Sequence, residues 1–381
     1  MARSGSSVNK DKLHSRGIRV NGVRKRVAIA ALAATLSLAV GTPPGGAALD
    51  SRSTPRYQYG INTYVTYNCQ GLATYLGWAA TEVAQYKALG ANTIALAFPL
   101  YMPSITSNDV SARLRCGDPK YQSPPIGLLT KIVEAAHAAG LKVLLRPLID
   151  QQNFFRQSPT SWRGVLAPTN PNLWFQNYWR AVEPFLAMAQ ATHVEHFAIA
   201  SELNSIADAK NWTPLISRSR AMYKGDITFD YSWQTPVTKS WKPYTSLSID
   251  AYPELLDTSM SQTPAQLLGQ WNLLLRTRPA YTIPDITRVA IDEIGIPAQV
   301  GAYAKPFEGS FPLATHPFNQ SVQVRWYTAA CAFMKQHHMR GIYYFGPWMG
   351  SHRGSLLTSP SSARPSDIQP AAQRSIRGCF S

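Results

Sequence analysis

The sequence predicts an α/β protein folded as a single-domain (β/α)8 TIM barrel. Three observations point there. From residue 57 onward, apolar runs of strand length alternate with longer runs at helical spacing. Eight strand candidates fall within about 320 residues, the scale of an eight-unit barrel. The first strand candidate runs into GINTYVTYNCQG, which carries no glycine-rich phosphate turn, so an open nucleotide-binding sheet is disfavoured.

The elements follow in chain order. YQYGINTYV (57–65) reads as the first strand. TEVAQYKALG (81–90) has helical spacing and stops at Gly90. NTIALAF (92–98) is an apolar strand. PPIGLLTKIVEAAHAAG (124–140) opens on proline and closes on glycine, as helices do. LKVLLRP (141–147) is the third strand. Residues 171–191 form a long aromatic helix in which Pro184 predicts a bend. VEHFAIAS (194–201) is the fourth strand. The rhythm then repeats as helix 212–223, strand 226–232, strand 245–252, helix 263–277, strand 288–294, helix 321–338 and strand 341–348. A last short helix is expected near 365–376.

Residues 1–48 stand apart from this pattern. Arg3 to Arg26 carry eight basic residues and one acid, followed by the apolar run Val27–Val40 and then TPPGGAA. That order predicts a secretory signal peptide over 1–48, cleaved near Ala48, with the catalytic-type domain and an irregular tail over 49–381. An apolar run of about 14 residues falls short of the roughly 20 a retained membrane anchor needs. The chain is therefore expected to be secreted, extracellular or associated with the cell envelope.

The formal charge is +16, of which +7 lies in residues 1–48 and +9 in the remainder. The remaining Lys and Arg are scattered, which argues against a nucleic-acid partner and allows electrostatic association with an acidic cell envelope. A monomer is expected. With 45% hydrophobic, 11% aromatic and only 15% charged residues, the composition is that of a large folded core. Four cysteines occur, Cys69, Cys116, Cys331 and Cys379, none at CxxC spacing. In an exported chain they predict disulfides. The barrel reading favours Cys69–Cys116 between neighbouring loops and Cys331–Cys379 pinning the tail.

Barrel chemistry resides at the carboxyl ends of the strands. The fourth strand ends in Glu202, within FAIASELNS, and the seventh in Glu293, within VAIDEIGI. Strand counting places the two on opposite sides of one mouth. Paired carboxyls of this kind suit glycosidic bond cleavage, one protonating the leaving oxygen and the other attacking the sugar carbon or activating water. Tyr252, after the sixth strand, is placed to donate to one of them. Trp348, at the end of the eighth, offers a flat face for a sugar ring. Arg146 and Asp150 close the third strand and are expected to bind hydroxyls. Asn204, in the segment after Glu202, and Trp233, which follows Asp230 at the end of the fifth strand, are expected to contact the substrate. Asp250 and Asp292 are expected to turn away from the mouth as structural residues. No GxSxG, P-loop or HExxH occurs. The histidines have no shared metal-ligand spacing, and neither a metal nor a cofactor is expected.

The set GLKVLLRPLID, SWRGVLAPTNPNLWFQNYW, FAIASELNS, SIDAYPEL and IDEIGIP resembles the retaining (β/α)8 clan of glycoside hydrolases, and most closely family 113, known for β-mannanases. The resemblance runs through most of 57–350. It implies Glu202 as acid/base and Glu293 as nucleophile, with Trp162, Arg163, Tyr252 and Trp348 lining the cleft. It departs from the family pattern at three positions. Ser201 stands where the clan commonly has an asparagine. Arg146 and Leu148 stand where family members often carry Lys and His. The implied function is an exported retaining hydrolase of a β-linked polysaccharide or oligosaccharide, mannan-like or from a cell envelope. A transglycosidase and a carbohydrate-binding barrel without turnover are the alternatives.

Overall fold

The computed structural model describes residues 57–67, 69, 71–114, 122–233, 246–255, 261–277, 285–349 and 364–381. Eight parallel strands close into a barrel in sequence order. They are β1 (Gln58–Val65), β2 (Thr93–Leu100), β3 (Lys142–Ile149), β4 (His196–Ser201), β5 (Asp226–Ser232), β6 (Ser246–Asp250), β7 (Val289–Ile294) and β8 (Gly341–Met349), and β8 pairs back to β1. The helices are α1 (Leu72–Ala88), α2 (Ile126–Ala138), α3 (Gln152–Gln157), α4 (Pro171–Ala191), α5 (Trp212–Met222), α6 (Pro264–Thr277), α7 (Gln320–Gln336) and α8 (Pro370–Phe380). The predicted TIM barrel is thus present. Helix α1 starts nine residues before the expected 81–90 segment, and α3 follows β3 where no helix was expected. The expected signal segment 1–48 lies outside the described residues. Among the described residues, no helix is long and apolar enough to cross a membrane.

Strand alternation divides the barrel into two environments. Outward residues such as Ile94, Leu96, Phe98, Val143 and Leu145 join one apolar cluster with the helices. That sheath holds the large aromatics. Trp271 of α6 meets Trp326 of α7 at 5.2 Å between ring centroids, and Trp174 stacks on Tyr178 within α4 at 4.8 Å. Inward residues are small or polar: Ala95, Leu144, Ala198 and Tyr343 fill one level, with charged groups above and below. Gly60 is needed here because a Cβ would fall 2.0 Å from the Tyr343 ring.

Helix ends follow local chemistry. Asn170 caps α4 by accepting from Leu173 N at 3.2 Å, with Pro171 in the first turn, and Pro184 lies inside the helix. Asn319 caps α7 in the same way through Ser321 N. Gly90 and Gly140 adopt positive φ just past α1 and α2, the left-handed stop that glycine makes at least cost. At the far end of the chain, Cys331 of α7 and Cys379 of α8 form a disulfide, with Cα atoms 5.8 Å apart. The expected partner of Cys69, Cys116, lies outside the described residues.

The lumen floor holds its own ion pairs. Asp226 of β5 meets Arg340 in a close contact and His196 Nδ1 at 3.2 Å. Gln58 joins His196 at 3.2 Å and accepts from the Tyr343 hydroxyl at 2.9 Å.

Candidate active site

Glu202 follows β4 directly, and its backbone is left-handed at φ 56°. Its N–H donates to the Asp230 carbonyl at 2.8 Å. This bond turns the chain sharply out of the strand and aims the side chain across the barrel mouth. Arg163 Nη1 donates to Glu202 Oε2 at 2.6 Å, while Arg163 Nε donates to the Ile149 carbonyl at 2.8 Å. The Glu202 carboxyl is raised above its ordinary pKa. Burial is the main cause and the nearby Glu293 charge adds to it, against the opposing pull of Arg163 and Arg146.

Glu293 sits in β7, where the pairing with β8 shifts register between Ile291 and Ile294. Its carboxyl oxygens accept from three donors. Tyr252 OH donates to Oε1 at 2.7 Å, Arg146 Nη1 to Oε2 at 2.8 Å, and Asn62 Nδ2 to Oε2 at 3.5 Å. Burial and the Glu293 charge push the Tyr252 phenol well up, so it remains a donor.

Beneath Glu293, Arg146 is fully buried. Its Nη2 contacts Asp230 Oδ2 closely and both Asp250 oxygens at 2.7 and 2.8 Å. Arg146 is therefore not the hydroxyl-binding residue expected from its strand-end position. Its hydrogen bonds go to carboxylates, and it reaches the mouth only through Glu293. Asp250 and Asp292 also differ from expectation, since both face the lumen. Asp250 shares the parity of Tyr252 along the chain, so the two cannot point apart. Asp292 faces inward by ordinary alternation, since Val289 and Ile291 face out, and the β7 register shift brings Glu293 to the same side. Asn62 Nδ2 binds the Asp292 carbonyl at 2.9 Å.

A cavity of about 460 Å³ opens beside Glu293, lined among others by Tyr64, Leu148, Asp150, Arg163, Phe345 and Trp348. Trp348 and Tyr64 meet at 5.1 Å between ring centroids. Asp150 accepts from Tyr64 OH at 3.4 Å and from Gln152 N at 3.1 Å. Trp162 lies over Gly164, where a Cβ would fall 2.3 Å from its ring. Asn204 is engaged with β5, donating to Ser232 Oγ at 2.8 Å. Trp233 is not at the cleft. It is 3% exposed, and its ring packs on Trp271 at 5.6 Å within the apolar sheath. Ser201 is buried just below Glu202. Among the described residues, no three His, Cys, Asp or Glu side chains converge as a metal site.

Sequence reading missed Asn62 and Tyr64. Their signal was present: two polar-tipped residues in one strand at a spacing of two share a face. The model of Glycoside Hydrolase Family 113 matches residues 66–354. The chain belongs to this family. It is a glycoside hydrolase, as the sequence resemblance implied. A solved GH113 β-1,4-mannanase, in a complex structure, is similar at 16% identity and TM-score 0.66, covering 85% of this chain and 98% of that one. A GH113 β-mannanase from Alicyclobacillus acidocaldarius, solved in complex with ManMIm, is similar at 20% identity and TM-score 0.65, covering 85% and 97%. At these identities the two likenesses speak for the shared barrel. Comparison with curated proteins gave no match.

Proposed function

We propose that this family 113 chain is an exported retaining hydrolase of β-mannan-like polysaccharide or oligosaccharide, working by double displacement through Glu202 and Glu293. The observation that carries this reading is the pair of carboxyls held at one barrel mouth. Burial pushes Glu202 toward its protonated form while Arg163 holds it, and Glu293 is fixed by donors from Tyr252, Arg146 and Asn62. Glu202 then protonates the leaving oxygen while Glu293 attacks the anomeric carbon. The resulting glycosyl-enzyme is opened by water, whose proton returns to Glu202. Arg163 fixes the Glu202 carboxyl, and Tyr252 and Arg146 fix the Glu293 carboxyl before the sugar arrives. Trp348 and Tyr64 offer ring faces to the sugar in the cavity. The mannan-type substrate is supported by the family and by what its solved members act on. Export is supported by the leader pattern of residues 1–48 and by a disulfide in the described chain.

The test is hydrolysis of β-1,4-mannan and mannotriose, with the anomeric configuration of the first product read by NMR. Retention is expected. Glu202→Ala should cost about 10²–10⁴-fold in turnover, the usual worth of a general acid. Glu293→Ala should remove turnover almost entirely while the protein remains folded. Wild-type rates in either variant, or an inverted product, would overturn the reading.

A further inference from the structure

We infer that Asp230 is the positioning residue that couples the two glutamates. Its main chain serves one glutamate and its carboxyl the other. Its carbonyl accepts the Glu202 N–H at 2.8 Å, and its carboxyl contacts Arg146 Nη2 closely. Arg146 in turn donates from Nη1 to Glu293 at 2.8 Å. The inference rests on the two-glutamate reading above and deepens it.

The geometry explains why such a coupling is needed. A left-handed backbone at a glutamate is unfavourable by about 1–2 kcal/mol and persists only when its surroundings hold it. The bond from Glu202 N–H to Asp230 is one such hold. It is only as firm as the end of β5, where Asp230 pairs with Ser201 on one side and Ser248 on the other. The Asp230 side chain adds an anchor from within the lumen, fully buried against Arg146. Asp250, by contrast, grips the same guanidinium with both oxygens, and among the described residues no hydrogen bond links it to Glu202, which feels only its charge. Loss of Asp250 should therefore disturb chiefly the Glu293 side. Loss of Asp230 should disturb both sides.

Leaving-group chemistry separates the two effects. The leaving group of a 2,4-dinitrophenyl β-mannoside departs without a proton, so kcat/KM on it reports on nucleophilic attack. Mannotriose needs the acid as well. For Asp230→Ala, kcat/KM should fall about 10²-fold on the activated substrate, the cost of a misplacement of about 1 Å. It should fall further still on mannotriose. For Asp250→Asn, the losses in kcat/KM on the two substrates should be more nearly equal than for Asp230→Ala. Thermal melts accompany each variant. Should Asp230→Ala not fold, Asp230→Asn keeps the shape while weakening the anchor, and should show the same pair of losses at smaller size. A folded Asp230 variant with wild-type rates would overturn the inference. So would equal losses on both substrates, because Asp230 would then act on Arg146 alone. Glu202→Ala and Glu293→Ala run as controls. If either of these keeps full turnover, the catalytic reading itself fails. If both lose rate and the Asp230 variants do not, only the coupling falls.

Discussion

Two aspartates on one strand, four residues apart and on the same face, have opposite fates. Asp226, at the start of β5, lies on the lumen floor between His196 and Arg340. Its carboxyl is held below the ordinary range, first by the hydrogen bond with His196 and then by Arg340. Asp230, one turn of the barrel wall higher, is pushed up to about 8. Burial dominates there, and Asp292 and Glu293 add to it against the pull of Arg146. The residue type, strand and face are shared, so the difference comes from charge balance. On the floor, one carboxylate meets an arginine and a histidine. Near the mouth, Asp230, Asp250, Asp292 and Glu293 all act on the one buried guanidinium of Arg146. An excess of buried negative charge is costly unless protons fill the deficit, and clusters of this kind concentrate where a protein does chemistry.

The comparison can be broken most forcefully at the two arginines. Arg146→Ala should destabilise the fold by about 3–5 kcal/mol, because it leaves buried carboxylates without a cation. Arg340→Ala should cost less, since its side chain is 23% exposed and His196 still faces Asp226. Urea unfolding of the two variants measures the difference, and equal losses would remove the contrast.

The pH dependence of stability sharpens it next. The folded pKa of Asp230 lies above the unfolded value of about 3.9. Folded protein therefore binds more protons than unfolded protein between about pH 4 and 8. Over that window this group makes stability fall as pH rises, by up to about 1.4 kcal/mol per pH unit. Asp250 and Asp292 are shifted in the same direction and add to the slope. Asp226 works the other way. Its contribution is present above the unfolded pKa and is lost as pH falls through the lowered folded value. Melting curves across pH 4–8 should be flatter for Asp230→Asn than for wild type, and an unchanged slope would contradict the assignment.

The smallest effect is expected on the floor. Asp226→Asn should cost about 1 kcal/mol, the usual net worth of one hydrogen-bonded contact, because a side chain 34% exposed is partly screened. Turnover on mannotriose should be unchanged, since Asp226 lies at the opposite end of the lumen from the glutamates.

How far the sequence could be read follows the same physics. The barrel was legible because its outward face must be apolar on every strand, and because strands and helices alternate along most of the chain. Glu202 and Glu293 were legible because each breaks an apolar run at a strand end. Chain position alone could not show where Arg146 points. A strand-end arginine suits a sugar and a buried ion cluster equally well until the depth of its side chain is known. Asp292 was misplaced because a register shift in β7 brings Glu293 to the same side, and no residue type in VAIDEI announces it. Trp233 looked like a substrate-binding residue by its strand-end position, yet its ring found Trp271 on a helix that the sequence could not orient. Helix α3 is only six residues long, too short for periodicity to register.

The left-handed turn at Glu202 makes this position answer to two masters. In the proposed mechanism its carboxyl serves the sugar bond, while its main chain prefers residues that tolerate positive φ. Aspartate and asparagine accept that conformation more readily than glutamate does, and β-branched residues resist it. Shortening the side chain to aspartate would thus relax the backbone even as it withdraws the acid from its target. On the proposed mechanism, durability and turnover are set against each other at this one residue, with the more strained of the two acids favoured for its reach.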